Sequence, residues 1–266
     1  MSKLAEHLRN LRRSRYFLPG VLVGAALGFA AGAGATLFAT GAPQWRLTGS
    51  ALAATHVALP PPSGGPTRLK PGATIICEGD SLTYGFARGW TPTQGGINGS
   101  LAPRSLTPYP EELGRLLGGQ IKVVNLGMPG DRTLEGVTRW ADAPSGQLAI
   151  IMYGANDAAV RGRNAPLGVA TYGALLEALV RRRLNDGAQV IVLLPPPASA
   201  RDTQPRLDPY RQMAAEVAAR TGAKAMDAGE ALRGLDAPLQ YDGLHLSDQA
   251  NQAIAKALAS RIVVEP

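Results

Sequence analysis

Ile75-Ile76-Cys77-Glu78-Gly79-Asp80-Ser81-Leu82-Thr83 runs apolar and then stops abruptly at Gly-Asp-Ser. A short run of branched apolar residues closed by a glycine turn reads as a buried strand, and a serine just past its end can cap the next helix. In open parallel sheets, chemistry collects outside the carboxyl ends of the strands, where a helix N-terminus also favours developing negative charge. Ser81 is therefore either a cap or a nucleophile. The second reading needs a base, and the chain has three histidines, His7, His56 and His245.

Outward from this stretch, short apolar runs at 74–77, 121–125, 148–153, 190–194 and 223–227 alternate with helical patterns at 110–117, 134–140, 168–184, 209–221 and 247–262. Such alternation predicts an α/β fold with a five-stranded parallel sheet, doubly wound, with helices on both faces. Gly118-Gly119, Asp186-Gly187 and Thr221-Gly222 stand where helices should end before the next strand. No internal repeat interrupts the pattern. Cys77, the single cysteine, excludes an internal disulfide and reads as a small core residue.

Upstream the pattern changes. Residues 17–42 carry no charge and are rich in Ala, Gly, Leu and Val, and roughly 20 such residues span a bilayer core. The run predicts a transmembrane helix, longer than the h-region of a cleaved signal peptide, although cleavage near Ala51-Leu52-Ala53 is the alternative. Before it, Lys3, Arg9, Arg12, Arg13 and Arg15 against Glu6 account for +4 of the net +7. The remaining +3 is unremarkable, so nucleic acid is not an expected partner. Basic residues ahead of the span predict a cytoplasmic N-terminus and a periplasmic or extracellular remainder. The domain reading is thus a basic head at 1–16, an anchor at 17–42, a Pro/Gly-rich linker at 43–71 and a folded domain at 72–266. Gly20, Gly24, Gly28 and Gly32 recur every four residues, a row that lets two anchors approach closely and self-associate, or an accident of an Ala/Gly-rich span.

His7 and His56 fall in the head and the linker, which leaves His245 as the base. It stands in Asp242-Gly243-Leu244-His245, where a carboxylate three residues ahead can reach back to Nδ1 and leave Nε2 free to take the serine proton. At two other strand ends lie Asn125-Leu126-Gly127-Met128-Pro129-Gly130 and Gly154-Ala155-Asn156-Asp157. The Gly127 amide and the Asn156 side chain are candidate donors to an oxyanion. Each motif alone also reads as an ordinary turn.

Together, Gly79-Asp80-Ser81-Leu82, Asn125-x-Gly127-x-x-Gly130, Gly154-x-Asn156-Asp157 and Asp242-x-x-His245-Leu246 resemble, in order, four sequence blocks of the SGNH hydrolases, the GDSL-type esterases and lipases. The resemblance covers about residues 73–259. It implies a flavodoxin-like three-layer sandwich, Ser81 as nucleophile, His245 as base, Asp242 as its orienting acid, and an oxyanion hole from the Ser81 amide, Gly127 and Asn156. The Gly-x-Ser-x-Gly elbow of α/β-hydrolases is absent, because Thr83 stands where it needs glycine. No His/Cys cluster with metal spacing and no phosphate loop is present, so no cofactor is expected.

Between Gly85 and Tyr109 lies a long Gly-, Pro- and Thr-rich segment beside the expected site. Trp90, Arg88, Gln94, Asn98 and Arg104 would give an aromatic platform and polar donors to a sugar, or the segment touches nothing. Residues 195–209 are expected as the facing wall. The expected function is a membrane-anchored serine esterase acting on O-acyl groups, O-acetyl foremost, of envelope or extracellular carbohydrate. The alternatives are an O-acyltransferase with the same triad, a lipid esterase or thioesterase, and a non-catalytic glycan-binding scaffold.

Overall fold

The computed structural model describes residues 65–88, 92–160, 165–199 and 204–265. The head, the anchor with its glycine row, and Trp90 lie outside the described residues, as does the linker up to residue 64. Among the described residues no helix is long and apolar enough to cross a membrane.

In chain order the elements are β1 (Thr67–Leu69), β2 (Thr74–Gly79), α1 (Ser81–Tyr84), α2 (Tyr109–Leu116), β3 (Lys122–Asn125), α3 (Thr133–Arg139) and β4 (Leu148–Met152). Then come α4 (Val169–Asn185), β5 (Gln189–Leu194), α5 (Gln204–Thr221), β6 (Lys224–Asp227), α6 (Ala228–Ala231), α7 (Asp248–Ala259) and β7 (Ile262–Val264). Five strands form one parallel sheet in the order β3-β2-β4-β5-β6. The strand order reverses beside β2, which carries the Gly-Asp-Ser turn to the crevice where open α/β sheets bind ligands.

β4 and β5 are buried on both faces, as continuous apolar runs require in a parallel sheet. Leu148, Ile150 and Met152 alternate with Ala149 and Ile151, each set packing on a different layer. The first layer is formed by α2 and α7 through Leu113, Ile254 and Leu258, the second by α4 and α5 through Leu176, Leu179, Ala214 and Val217. At about 1.5 to 3 kcal/mol for each large apolar side chain removed from water, these two interfaces hold the three layers together.

Glu78 is the exception on the apolar strand β2. It turns toward the second layer, where the Arg183 guanidinium of α4 meets it, with Nε donating to Oε1 at 2.5 Å. Arg183 also donates from Nη1 to the Pro144 carbonyl at 2.7 Å and is 1% exposed.

The strands and helices follow the predicted pattern, with three differences. The last helix ends at Ala259 rather than 262, because Ile262-Val263-Val264 is a β-branched run that pairs in parallel with Thr67–Leu69. That pairing places β1 inside the stretch read as linker to residue 71. α5 begins at Gln204 rather than Pro209, and Pro209 lies inside it, at the loss of one helical hydrogen bond.

The segment between Gly85 and Tyr109 is folded back on the domain in its described part. Arg104 pairs in isolated antiparallel bridges with Phe86 and Gln94, and the Tyr84 hydroxyl donates to the Ala102 carbonyl at 2.6 Å.

Candidate active site

The ambiguity at Ser81 is resolved by its neighbour. Asp80 is the N-cap of α1, its Oδ1 accepting from the Leu82 amide at 2.8 Å, so the serine hydroxyl is not used as a cap. α1 has only four residues, so a helix dipole contributes little, contrary to expectation. The turn needs glycine at position 79, where a Cβ would lie 2.1 Å from Thr83 Oγ1 and 2.5 Å from the Met152 carbonyl.

Ser81 Oγ lies 2.9 Å from His245 Nε2, and His245 Nδ1 lies 2.7 Å from Asp242 Oδ2. Asp242 Oδ1 accepts from the amides of His245 at 3.0 Å and Leu244 at 3.1 Å. This grip fixes the carboxylate and leaves its second oxygen to the imidazole, which selects the tautomer with Nε2 facing the hydroxyl. Burial pushes the Asp242 carboxyl up, but the His245 hydrogen bonds and the Leu244 amide outweigh it, and the group ends below the usual carboxylate range. The Phe86 ring packs 4.6 Å from the imidazole, centroid to centroid. Arg88 Nη1 stands 3.6 Å from Asp242 Oδ2 with its side chain half exposed.

Asn156 is 4% exposed, and its Nδ2 donates to the Asp131 carbonyl at 2.8 Å. The adjacent Asp157 is fully buried and accepts from the Thr133 hydroxyl at 2.7 Å and the Thr133 amide at 3.1 Å, pinning the start of α3 to the turn after β4. Desolvation raises its pKa, against the pull of the Thr133 hydrogen bonds.

Gly127 is a correction. Its amide donates to Asn125 Oδ1 at 2.9 Å and is therefore spent within its own turn. A Cβ there would lie 2.2 Å from the Tyr84 amide nitrogen, so glycine is required for the close approach of this turn to the end of α1. The glycine that shares a cavity with Asn156 is Gly130, at φ +91°. That cavity, about 290 Å³, is also lined by Pro129, Arg132, Glu135 and Ala159.

The sugar platform is corrected as well. Arg104 is 3% exposed; its Nε donates to the Tyr84 carbonyl at 2.9 Å, and its guanidinium pairs with Glu111 and lies over the Tyr84 ring. Asn98 Nδ2 donates to the carbonyls of Gly127 at 2.9 Å and Asn125 at 3.1 Å, and Gln94 Nε2 to that of Ser105 at 2.5 Å. These side chains satisfy the backbone of a long connection that has little ladder of its own. Arg88 alone of the described platform residues stands beside the triad.

Sequence reading also missed Phe86, which packs on the imidazole from a distant part of the chain, and Gln240, which lies in the imidazole's own loop and reaches back to Phe86. Only Asn125 carried a local signal, since an Asn that bonds the amide two residues on is an Asx turn. Cys77 is buried and its thiol is pushed well up by burial, as suits an inert core residue. No group of His, Cys, Asp and Glu among the described residues is placed to hold a metal ion.

The model of the GDSL-like lipase/acylhydrolase family matches residues 77–253. Comparison with curated proteins finds no match. Among solved structures, the chain is similar to the acetylxylan esterase Axe2 from Geobacillus stearothermophilus, at 26% identity over 72% of this chain and 94% of that one, with a TM-score of 0.56. It is also similar to a lipase/acylhydrolase from Enterococcus faecalis, at 26% identity, 73% and 99% coverage and a TM-score of 0.56. LAE5, an alpha/beta hydrolase from the metagenome of Lake Arreo, shares the fold at 22% identity, 73% and 96% coverage and a TM-score of 0.57.

Proposed function

As a member of the GDSL-like lipase/acylhydrolase family the chain is a serine ester hydrolase, and we propose that it removes small O-acyl groups, acetyl foremost, from carbohydrate outside the cytoplasm, held at a membrane by residues 17–42. The observation that carries the reading is the unbroken relay from Ser81 Oγ through the imidazole to Asp242, at 2.9 and 2.7 Å.

In the proposed mechanism Ser81 Oγ attacks the ester carbonyl carbon as its proton passes to His245 Nε2. The carbonyl oxygen takes the negative charge, facing the Ser81 amide, the Asn156 side chain and the Gly130 amide. The tetrahedral adduct collapses, the alcohol leaves with the proton from Nε2, and an acyl-serine remains. Water, deprotonated by the same nitrogen, releases the carboxylic acid and restores the serine. Asp242 stays ionised and holds the ring throughout.

One observation supports a small acyl group on a polar carrier. Axe2, similar at 26% identity, is an acetylxylan esterase. Membrane attachment and export are supported by the uncharged run behind a basic head.

The test is acetate release from acetylated sugars and aryl acetates by the purified protein, beside longer acyl esters and thioesters. Release that Ser81→Ala abolishes is expected. A wild-type protein inert on every ester, or an active Ser81→Ala, overturns the proposal, and transfer of the acetyl group to an added glycan would recast it as an acyltransferase.

A further inference from the structure

His245 lies on a loop rather than in a helix or strand, and its partner Ser81 belongs to a segment 164 residues away. A catalytic pair held only by its own hydrogen bond would drift, because productive geometry has to be kept within about 0.5 Å. The loop is held on one side where the Ser199 amide donates to the Gly243 carbonyl at 2.8 Å. On the nucleophile's side, beside the Phe86 ring contact and the Arg88–Asp242 pair, the segments are joined by one side-chain amide.

Gln240 Nε2 donates to the Phe86 carbonyl at 2.8 Å and to the Leu246 carbonyl at 2.9 Å, while its Oε1 accepts from the Arg88 amide at 2.7 Å. Its own backbone amide donates to the His245 carbonyl at 2.7 Å. One planar group thus joins the residues on either side of Ala87, just after the nucleophile's helix, to the residue following the imidazole. Both Nε2 protons and the carbonyl oxygen are engaged, which fixes the amide's orientation. The same clasp holds Phe86, whose ring packs on the imidazole, and Arg88, which faces Asp242.

We infer that Gln240 is a positioning residue for the esterase reaction: by clasping Phe86, Arg88 and Leu246 it sets the distance between Ser81 and His245. The inference rests on the Ser81–His245 reading above. It assigns Gln240 no contact with substrate. Its loss lowers the rate of serine attack and leaves substrate binding nearly intact. A displacement of about 1 Å in such a pair can cost on the order of 100-fold in rate. Leucine keeps the bulk of the side chain without any hydrogen bond. Glutamate keeps the acceptor for the Arg88 amide but sets a carboxylate oxygen against two carbonyls, so it isolates the two donated bonds.

The experiment measures kcat and KM on an aryl acetate, and the rate at which a fluorophosphonate labels Ser81, for full-length wild type, Gln240→Leu and Gln240→Glu. Rates are expressed per folded molecule from circular dichroism, well below each variant's unfolding midpoint. For both variants the expected result is a fall of about 10- to 100-fold in kcat and in labelling rate, with KM within about twofold. Either variant labelling at the wild-type rate, or a loss confined to KM or to the folded fraction, overturns the positioning role. Failure of the wild type itself to label overturns the esterase reading instead, so the two failures are distinct.

Discussion

Replacing Arg183 by methionine removes the guanidinium from Glu78 while keeping a long apolar side chain in its place. Glu78 is 6% exposed, so the variant leaves a carboxylate in the protein interior beside the strand that delivers the nucleophile. Breaking a buried pair from one side costs roughly 3 to 5 kcal/mol. Two features of the site bear on where in that range the loss falls. Arg182 Nη1 stands 3.8 Å from the same Glu78 oxygen and can take over part of the attraction. Against this, the Pro144 carbonyl loses the Arg183 Nη1–H. We expect about 3 kcal/mol, a large share of the roughly 5 to 15 kcal/mol that folded domains possess. For a domain of this size each kcal/mol lowers Tm by about 2 to 4 °C, so the loss amounts to roughly 6 to 12 °C. Urea unfolding of the wild type, Arg183→Met, Glu78→Leu and the double variant measures it as a coupling energy. The double variant should recover most of the loss, since an apolar pair of similar volume replaces a buried ion pair at little cost. Single variants each within about 1 kcal/mol of wild type would refute the view that this pair braces β2 against α4.

Asn156→Ala should lower kcat by about 100- to 1,000-fold with a small change in unfolding midpoint, the usual loss for one oxyanion donor; steady-state kinetics on an aryl acetate checks it. Arg104→Ala should leave KM within about twofold and lower stability by roughly 2 kcal/mol, because its partners are the Tyr84 carbonyl and Glu111; a several-fold rise in KM would restore it as a substrate ligand. The hydrogen bonds that hold the Asp242 carboxyl below its ordinary range contribute stability that is present above that range and lost as pH falls through its lowered folded value. Asp242→Asn should therefore flatten the acid limb of stability against pH, read from urea midpoints between about pH 6 and 3. Gly127→Ala should unfold at markedly lower urea because its Cβ meets the Tyr84 backbone, and the folded fraction should keep its labelling by a fluorophosphonate.

The sheet was legible because its central strands β2, β4 and β5 are runs rich in branched apolar residues, buried along nearly their whole length between the two helix layers. The pairing of Ser81 with His245 was legible for a different reason: with two of the three histidines upstream of residue 65, elimination left one candidate partner. β1 and β7 were not, since three-residue strands gain their pairing from a partner almost 200 residues away and carry little pattern of their own. Gly127 and Gly130 look equivalent in Asn125-x-Gly127-x-x-Gly130. What sets Gly127 apart is the direction in which the Asn125 side chain folds, since its Oδ1 engages the Gly127 amide. Arg104 and Asn98 misled because polar residues in a long connection serve its own carbonyls as readily as a ligand's hydroxyls. Gln240 carries no sequence signal at all, as its three side-chain partners lie at separations of 6 to 154 residues.

The described chain enters the domain beside Lys224, whose ammonium takes the Gly65 carbonyl at 2.8 Å, and Lys224 opens β6. That is the amino rim of the sheet, whereas Ser81 emerges from the carboxyl rim, a strand's length or about 20 Å farther on. The point where the described chain begins and the Ser81 hydroxyl thus stand at opposite ends of the sheet, so a change at Gly65 or Lys224 has the whole length of the strands between it and the triad.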